Sequence, residues 1–195
     1  MKIIYIHGFL SSSKAQKAQI LQRELQGKPD IDFQSVDYPD DLEFSVESLS
    51  KIIEKDLSLG IKPFLIGSSL GGFLSMILSV RYDLKIALIN PCLYPSEWIK
   101  KMGYIGKSLT NFDTGESFVV RPEAVAYVEE LEKELVCYRK DKTMVLLQSG
   151  DEVLDYRYAL NFFKDIEVDV ESGGSHRYDN FENKIEKILE FFESN

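Results

Sequence analysis

Short continuous apolar runs alternate with amphipathic stretches of helical length along this chain. The apolar runs lie at residues 2–6, 33–37, 63–67, 85–89, 143–148 and 166–170. Apolar side chains recur at helical intervals in residues 14–25, 45–57, 122–135 and 180–192. Continuous apolar runs are typical of strands that are buried on both faces of a parallel sheet. The alternation therefore predicts an α/β fold, with a mostly parallel central sheet of about six strands and helices on both faces.

The chain is acidic, since its 195 residues include 23 lysines and arginines against 32 aspartates and glutamates, a formal net charge of −9. This balance argues against nucleic acids, anionic membranes and polyanionic substrates as partners. No apolar run approaches the roughly 20 residues of a membrane span, and the first run is too short for a signal sequence. Cys92 and Cys137 are too few for a disulfide framework, so we expect reduced thiols. These features favour a cytoplasmic protein with one domain over residues 1–195.

Residues 94–121 interrupt the alternation. The segment contains Trp98, glycines at 103 and 106, and a polar cluster over residues 110–116. It predicts an excursion between a strand and a helix, which is either a small lid over a site or an ordinary surface loop with a short helix. In both cases the fold has little or no cap.

The segment Gly67-Ser68-Ser69-Leu70-Gly71 matches the pattern Gly-x-Ser-x-Gly. It follows a predicted strand and precedes a helical stretch, which is the strand–turn–helix context of a nucleophile elbow. Side chains two residues before and after the serine would collide in such a turn, and this explains the two glycines. A phosphate-binding loop would need Gly-Lys-Ser/Thr, and a dinucleotide fingerprint would need Gly-x-Gly-x-x-Gly; neither occurs here. The motif predicts Ser69 as a nucleophile at the carboxyl edge of the sheet.

A serine hydroxyl becomes a good nucleophile only when a base accepts its proton. The chain has two histidines, His7 and His176. His176 follows the last predicted strand and precedes the final helix, as expected for the chain order serine, acid, histidine. His7 comes before the serine, and we expect it to hold its own loop by hydrogen bonding. His176 is therefore the predicted base.

The acid that orients the histidine is expected on the loop after residues 143–148. Asp151 lies first beyond the end of that strand, Asp155 is its rival, and Glu152 is a third candidate. Asp155 also suits the N-cap of a helix predicted over residues 156–163. We therefore favour Asp151, whose carboxylate would accept a hydrogen bond from the imidazole and stabilise the imidazolium.

Two backbone amides are expected to bind the oxyanion of a tetrahedral intermediate. One is the amide after the nucleophile, which belongs to Leu70. The other comes from the loop after the first strand, residues 7–13, where Gly8 lets the backbone approach the serine and Phe9 is the predicted donor.

The His-Gly-Phe turn, the Gly-Ser-Ser-Leu-Gly-Gly elbow, the Gly-Asp-Glu-Val segment and the Gly-Gly-Ser-His end occur in this order. Together they resemble the α/β-hydrolases, and among these the small bacterial YqiA-like esterases, from residue 2 to about residue 192. The resemblance implies a reduced three-layer α/β-hydrolase fold without the first two strands or the large cap of larger members. It also implies a serine carboxylesterase with Ser69, Asp151 and His176 as the catalytic triad and Phe9 and Leu70 as the oxyanion hole.

The expected reaction is ester hydrolysis through an acyl-enzyme, with a small-molecule substrate and no metal or organic cofactor. Because the chain has little lid sequence, we expect a shallow pocket for short acyl chains, lined by Phe9, Leu10, Leu93, Tyr94, Trp98 and Val153. Two alternatives remain open at this point: an acyl thioesterase with the same triad, and a non-catalytic binding protein with a hydrolase fold. The oligomeric state leaves no signal in the sequence.

Overall fold

The computed structural model describes residues 1–194, and their centre is a six-stranded parallel sheet. Its strands are β1 (Lys2–Ile6), β2 (Asp32–Val36), β3 (Phe64–Ser68), β4 (Ile86–Ile89), β7 (Thr143–Gln148) and β8 (Val168–Glu171). They are arranged in the order β2-β1-β3-β4-β7-β8, and every neighbouring pair is parallel. The predicted α/β class and strand number are confirmed.

Helices cover both faces of this sheet. They are α1 (Gln16–Leu25), α2 (Leu42–Ser58), α3 (Leu70–Tyr82), α4 (Pro95–Lys101), α5 (Pro122–Glu132), α6 (Tyr156–Phe162) and α7 (Ile185–Glu193). Side chains alternate along β1, so that Ile3 and Tyr5 pack with α1 and α7 while Ile4 and Ile6 pack with α2, α3 and α5. The two apolar clusters make three layers. None of the helices within residues 1–194 has the length and apolarity needed to cross a membrane.

The predicted helix over residues 14–25 begins at Gln16 and the one over residues 45–57 begins at Leu42, and two further predicted helices include a 3₁₀ turn. The helix predicted over residues 122–135 ends at Glu132 and continues as a 3₁₀ turn over Lys133–Cys137. The helix predicted over residues 180–192 begins with a 3₁₀ turn, Phe181–Lys184, and Asn180 lies outside it because its positive φ of 56° does not occur in a right-handed helix. Hydrophobic periodicity continues through both turns and therefore does not reveal them.

Residues 94–121 form α4 and a short antiparallel hairpin of β5 (Ser108–Thr110) and β6 (Ser117–Val119). We call this segment the excursion. Its Trp98 ring packs edge-on against Tyr104 and Phe9. At its end, Arg121 forms ion pairs with Asp41 and Glu43 at the start of α2. The excursion therefore packs against the loop after β1 and against the start of α2.

The strand order creates a crevice at the carboxyl ends of β1 and β3. The chain runs from β1 to β2 on one side of the sheet, and β3 then pairs with β1 on the other side. Loops that leave the sheet in opposite directions open a gap between them, and ligands in α/β folds bind at such switch points. The loop after β1 and the elbow after β3 meet at this gap.

Candidate active site

The serine motif forms a tight turn between β3 and α3. Ser69 lies at the N-cap of α3 with φ 54° and ψ −119°, a strained conformation for a residue with a side chain. A Cβ atom at Gly67 would overlap the carbonyl oxygen of Gly71 and the hydroxyl of Ser75, and one at Gly71 would overlap the carbonyl oxygen of Ile6. The glycines therefore allow α3 to pack directly against the sheet, and the turn projects Ser69 above the strand end.

Ser69, His176 and Asp151 form a continuous hydrogen-bonded chain. The Ser69 Oγ lies 3.0 Å from His176 Nε2, and His176 Nδ1 lies 2.8 Å from Asp151 Oδ2. Asp151 has a side chain only 2% exposed, and its Oδ1 accepts hydrogen bonds from the amides of Val153 and Leu154. With the Nδ1 proton donated to Asp151, Nε2 is free to accept the serine proton. In the sequence, His176 is 107 positions from Ser69 and 25 positions from Asp151, and the structure brings the three side chains together.

The two rival acids have other partners. Asp155 caps α6 by accepting from the amide of Arg157, whose guanidinium also lowers the pKa of Asp155 to about 2. The Glu152 carboxylate accepts from the backbone amide of His176, and this hydrogen bond lowers the pKa of Glu152. Of the three acids, Asp151 is the one that contacts the imidazole ring.

Two buried amide side chains, which the sequence did not single out, hold the loop of His176. Asn90 donates to the carbonyl oxygens of Ser175 and His176 and accepts from the amide of Gln148. The Oε1 of Gln148 accepts from the amides of Ser175 and Asp179, at 3.0 and 2.8 Å. In the sequence, only their positions mark these residues: Gln148 is the polar last residue of the apolar run of β7, and Asn90 is the polar residue that follows the apolar run of β4.

The predicted oxyanion donors flank Ser69. A Cβ atom at Gly8 would lie 3.4 Å from the Ser69 Cβ, so the loop after β1 passes directly beside the serine. Leu70 is the first residue of α3, where backbone amides have no partner in the helix. Within residues 1–194, neither the Phe9 nor the Leu70 amide donates a hydrogen bond to another residue. Both amides are therefore available to an anion beside Ser69.

His7 lies within the loop after β1 and is 1% exposed. Its Nδ1 donates to the carbonyl oxygen of Gly8 at 2.9 Å, and its ring stacks on Tyr38, whose hydroxyl donates to the His7 carbonyl oxygen. Burial lowers the pKa of His7, which favours a neutral ring. These contacts agree with the expectation that His7 holds its loop.

The excursion also reaches this loop. The amide of Phe112 donates to the carbonyl oxygen of Leu10, and the buried Asn111 side chain donates to Ser11 O and to Asp40. Asn111 was not predicted, because the sequence does not show that the hairpin and the loop are neighbours.

A cavity of about 530 Å³ opens at Ser69 and His176. Of the predicted lining residues, Phe9, Leu10, Trp98 and Val153 line it. Leu93 and Tyr94 line instead a neighbouring cavity of about 200 Å³, which shares Trp98 and Val153. Leu93 is 4% exposed and packs in the apolar core, so it does not reach the serine.

This cavity is larger than the shallow pocket expected from the sequence. The excursion provides one of its walls, with Trp98, Ile99 and Tyr104 on that side and Phe112 at the edge. Its volume lies in the range of pockets that enclose small-molecule ligands, about 300–1,000 Å³. Within residues 1–194, no three His, Cys, Asp or Glu side chains come together as a group that could hold a metal ion.

Solved α/β-hydrolase structures share this architecture. Est1E from Butyrivibrio proteoclasticus matches with a TM-score of 0.75 and 20% identity, covering 99% of this chain and 88% of that protein. A monoacylglycerol lipase from Paleococcus ferrophilus matches with a TM-score of 0.71 and 15% identity, over 98% and 93% of the two chains. The esterase domain of a Rhodothermus marinus protein gives 0.67 and 16%, over 96% and 84%. At these identities, the likeness establishes the α/β-hydrolase fold.

Sequence relatives cover almost the entire chain. The UPF0227 protein YcfP of Salmonella newport is 27% identical over 199 residues, which include 97% of each chain. A UPF0227 protein of Citrobacter koseri is 27% identical over 198 residues, with the same coverage. The model of this family matches residues 2–193. The chain therefore belongs to the uncharacterised protein family UPF0227.

Proposed function

We propose that this protein is a serine hydrolase that cleaves small-molecule carboxylic esters through an acyl-enzyme. The observation that carries the proposal is the unbroken chain from Ser69 Oγ through the His176 imidazole to Asp151, with separations of 3.0 and 2.8 Å. It lies on a strained elbow, at the mouth of a cavity, and beside two amides that have no partner among residues 1–194. A serine that only connects a strand to a helix has no need for a strained backbone, a hydrogen-bonded histidine and a neighbouring cavity in combination.

In the proposed reaction, His176 Nε2 accepts the Ser69 proton as Oγ attacks the ester carbonyl carbon. The carbonyl oxygen becomes an oxyanion, which the Phe9 and Leu70 amides bind at the positive end of the α3 dipole. Asp151 holds the Nδ1 proton and stabilises the imidazolium. When the intermediate collapses, the alcohol leaves with the proton from Nε2. A water molecule then attacks the acyl-enzyme by the same sequence, and the carboxylic acid and free Ser69 are released.

The relatives support ester bonds as the target. The structures that share the fold include a monoacylglycerol lipase and an esterase domain, and one structure of Est1E contains bound ferulic acid. The cavity next to Ser69 is lined by apolar and aromatic side chains such as Leu10 and Trp98, which suits an uncharged acyl chain beside the carbonyl group.

Hydrolysis of 4-nitrophenyl butyrate tests the proposal. We expect turnover by the wild type and a loss of at least about 10⁴-fold in kcat for Ser69→Ala, since removal of a triad serine disables both steps. Ser58→Ala, which changes an exposed serine at the end of α2, is the matched control and should keep the wild-type rate. Undiminished turnover by Ser69→Ala would contradict the assigned nucleophile. Binding of the ester by the wild type without turnover would favour a binding protein.

A further inference from the structure

Three positively charged side chains line the cavity at Ser69, although the protein as a whole is acidic. Lys17 is the second residue of α1, Lys14 lies two residues before this helix, and Arg177 directly follows His176. The acidic side chain at the cavity wall is Asp113, whose Oδ2 accepts hydrogen bonds from the hydroxyls of Ser11 and Ser12. The wall therefore carries an excess of positive charge in a chain whose net charge is −9.

These three cations differ from most others in the molecule. Lysines and arginines elsewhere mainly form ion pairs with carboxylates, as Arg81 does with Glu134 and Lys184 with Asp169. Within residues 1–194, Lys14, Lys17 and Arg177 form no such pair. The first turn of α1 contains no acidic residue that would offset Lys17. Five other lysines of the described residues also form no ion pair, Lys55, Lys85, Lys101, Lys107 and Lys164, but none of them lines this cavity. What distinguishes Lys14, Lys17 and Arg177 is that three unpaired cations meet at one site.

Lys17 is the most informative of the three, because it is partly buried. Its Nζ donates one hydrogen bond, to the carbonyl oxygen of Arg177 at 2.8 Å. Burial, together with the charge of Arg177, lowers the pKa of Lys17 to about 8, while the charge of Asp151 acts in the opposite direction. A partly desolvated ammonium group that forms no ion pair is less stable than a paired one, and an anionic ligand would supply the missing partner.

We propose that Lys17, Arg177 and Lys14 form a subsite that binds a carboxylate of the substrate, carried away from the scissile ester bond. The inference rests on the proposed function, because the subsite belongs to the cavity that contains Ser69. The charged group can be carried by the acyl part or by the alcohol part of the ester. The negative charge of the remaining surface disfavours nonspecific capture of anions, so the attraction is confined to the cavity.

Two pairs of esters distinguish the sources of the anion. Mono-4-nitrophenyl adipate and 4-nitrophenyl hexanoate differ by a carboxylate on the acyl part. The compounds 4-acetoxybenzoate and methyl 4-acetoxybenzoate differ by a carboxylate on the alcohol part. We expect the wild type to have a higher kcat/KM for the anionic member of one pair. The charge-removing double variant Lys17→Met/Arg177→Gln should lower that anionic-to-neutral ratio about tenfold or more, as expected for the loss of charged hydrogen bonds.

Matched variants separate charge from structure. Lys17→Arg keeps the charge and should keep most of the wild-type ratio, whereas a general disturbance of the His176 loop would affect both members of a pair equally. Lys164→Met removes an exposed lysine outside the cavity and should leave both rates unchanged. A ratio that does not change in the double variant, for both pairs, would overturn the inference while leaving the proposed function intact.

The pH dependence gives a second readout. Because Lys17 loses its proton as the pH rises through about 8, the anionic-to-neutral ratio of the wild type should fall between pH 7 and 9.5. The groups that face Lys17 are Arg177, which stays charged in this range, and Asp151, which acts on both substrates alike through His176. Lys17→Arg should abolish the fall. A flat ratio in the wild type would contradict the role of Lys17.

Binding to the Ser69→Ala protein separates the inference from the proposed function. Calorimetry with mono-4-nitrophenyl adipate and with 4-acetoxybenzoate needs no turnover. We expect one of the two to bind at least about tenfold more tightly to Ser69→Ala than to Ser69→Ala/Lys17→Met/Arg177→Gln. This result would support the subsite even if the wild type hydrolysed none of the esters, an outcome that would refute the proposed function alone. Equal binding of both compounds to the two proteins would overturn the inference.

Discussion

Two regions face each other across Ser69, and they are built differently. On one side is the histidine scaffold, which we define as Asn90, Gln148 and residues 175–179. Its amide side chains are 2–3% exposed, and they bind the backbone of the His176 loop. On the other side is the excursion, whose hairpin strands are three residues long and whose Phe112 is 84% exposed. The first region is fixed to the sheet by buried hydrogen bonds, and the second covers the cavity from outside.

Under the proposed function, the histidine scaffold would serve the chemistry and the excursion would serve substrate selection. A catalytic group needs a position fixed to within about 0.5 Å, which rigid strands and buried hydrogen bonds supply. A cavity wall needs only the right shape, and a short exposed hairpin supplies that. We therefore expect changes in the histidine scaffold to lower kcat and changes in the excursion to alter KM.

Substitution of Asp151, which is hydrogen-bonded to the His176 imidazole, should give the largest effect. In Asp151→Asn the side chain no longer favours the required histidine tautomer, so kcat for 4-nitrophenyl butyrate should fall about 10⁴-fold. Asp155→Asn is the matched control, because Asp155 caps α6 and contacts Arg157 instead. Its loss of activity should be less than about tenfold. The reverse ranking of the two variants would overturn the assignment of the acid.

Gln148→Met tests the histidine scaffold itself. The change leaves the amides of Ser175 and Asp179 without their acceptor, and the loss of these partly buried hydrogen bonds should cost about 1–2 kcal/mol each. The free energy of unfolding in urea should fall by about 2–4 kcal/mol. In the fraction that remains folded, kcat should fall more than KM rises.

Gln34→Met is the control for that change, since Gln34 lies exposed on β2. It should alter the unfolding free energy by less than about 0.5 kcal/mol. Equal stability of the two variants would mean that Gln148 does not hold the loop.

The sequence predicted the part of the site that depends on local chain geometry. The elbow is a contiguous motif, and a tight turn requires its glycines at fixed positions around Ser69. His176 and Asp151 follow predicted strands, so their chain order was enough to nominate them. Asn90 and Gln148 were missed because their partners lie 23 to 86 residues away.

The cavity wall was harder to predict than the catalytic loops. Leu93 directly precedes the excursion and Tyr94 is its first residue, yet both line a second cavity instead of the one at Ser69. Lys17 and Arg177 are 160 residues apart in the sequence, and the Lys17 ammonium group meets the Arg177 carbonyl oxygen only in the folded protein. Local patterns do not contain such contacts.

Phe112→Ser tests the excursion and should have the smallest effect. Phe112 lies exposed at the edge of the cavity, so its loss should raise KM for 4-nitrophenyl hexanoate about threefold and leave the unfolding free energy within about 0.5 kcal/mol. Leu59→Ser, at the end of α2 and 66% exposed, is a control of similar polarity change. A fall in kcat larger than the rise in KM would break the proposed division between the two regions.

The most direct test of the central claim is covalent labelling with a fluorophosphonate, which reacts with activated serines. Mass spectrometry of the intact wild-type protein should show one adduct, and peptide mapping should place it on Ser69. Ser69→Ala should show none, and Asp151→Asn should react far more slowly than the wild type. An unlabelled wild-type protein, or an adduct that persists in Ser69→Ala, would contradict the account.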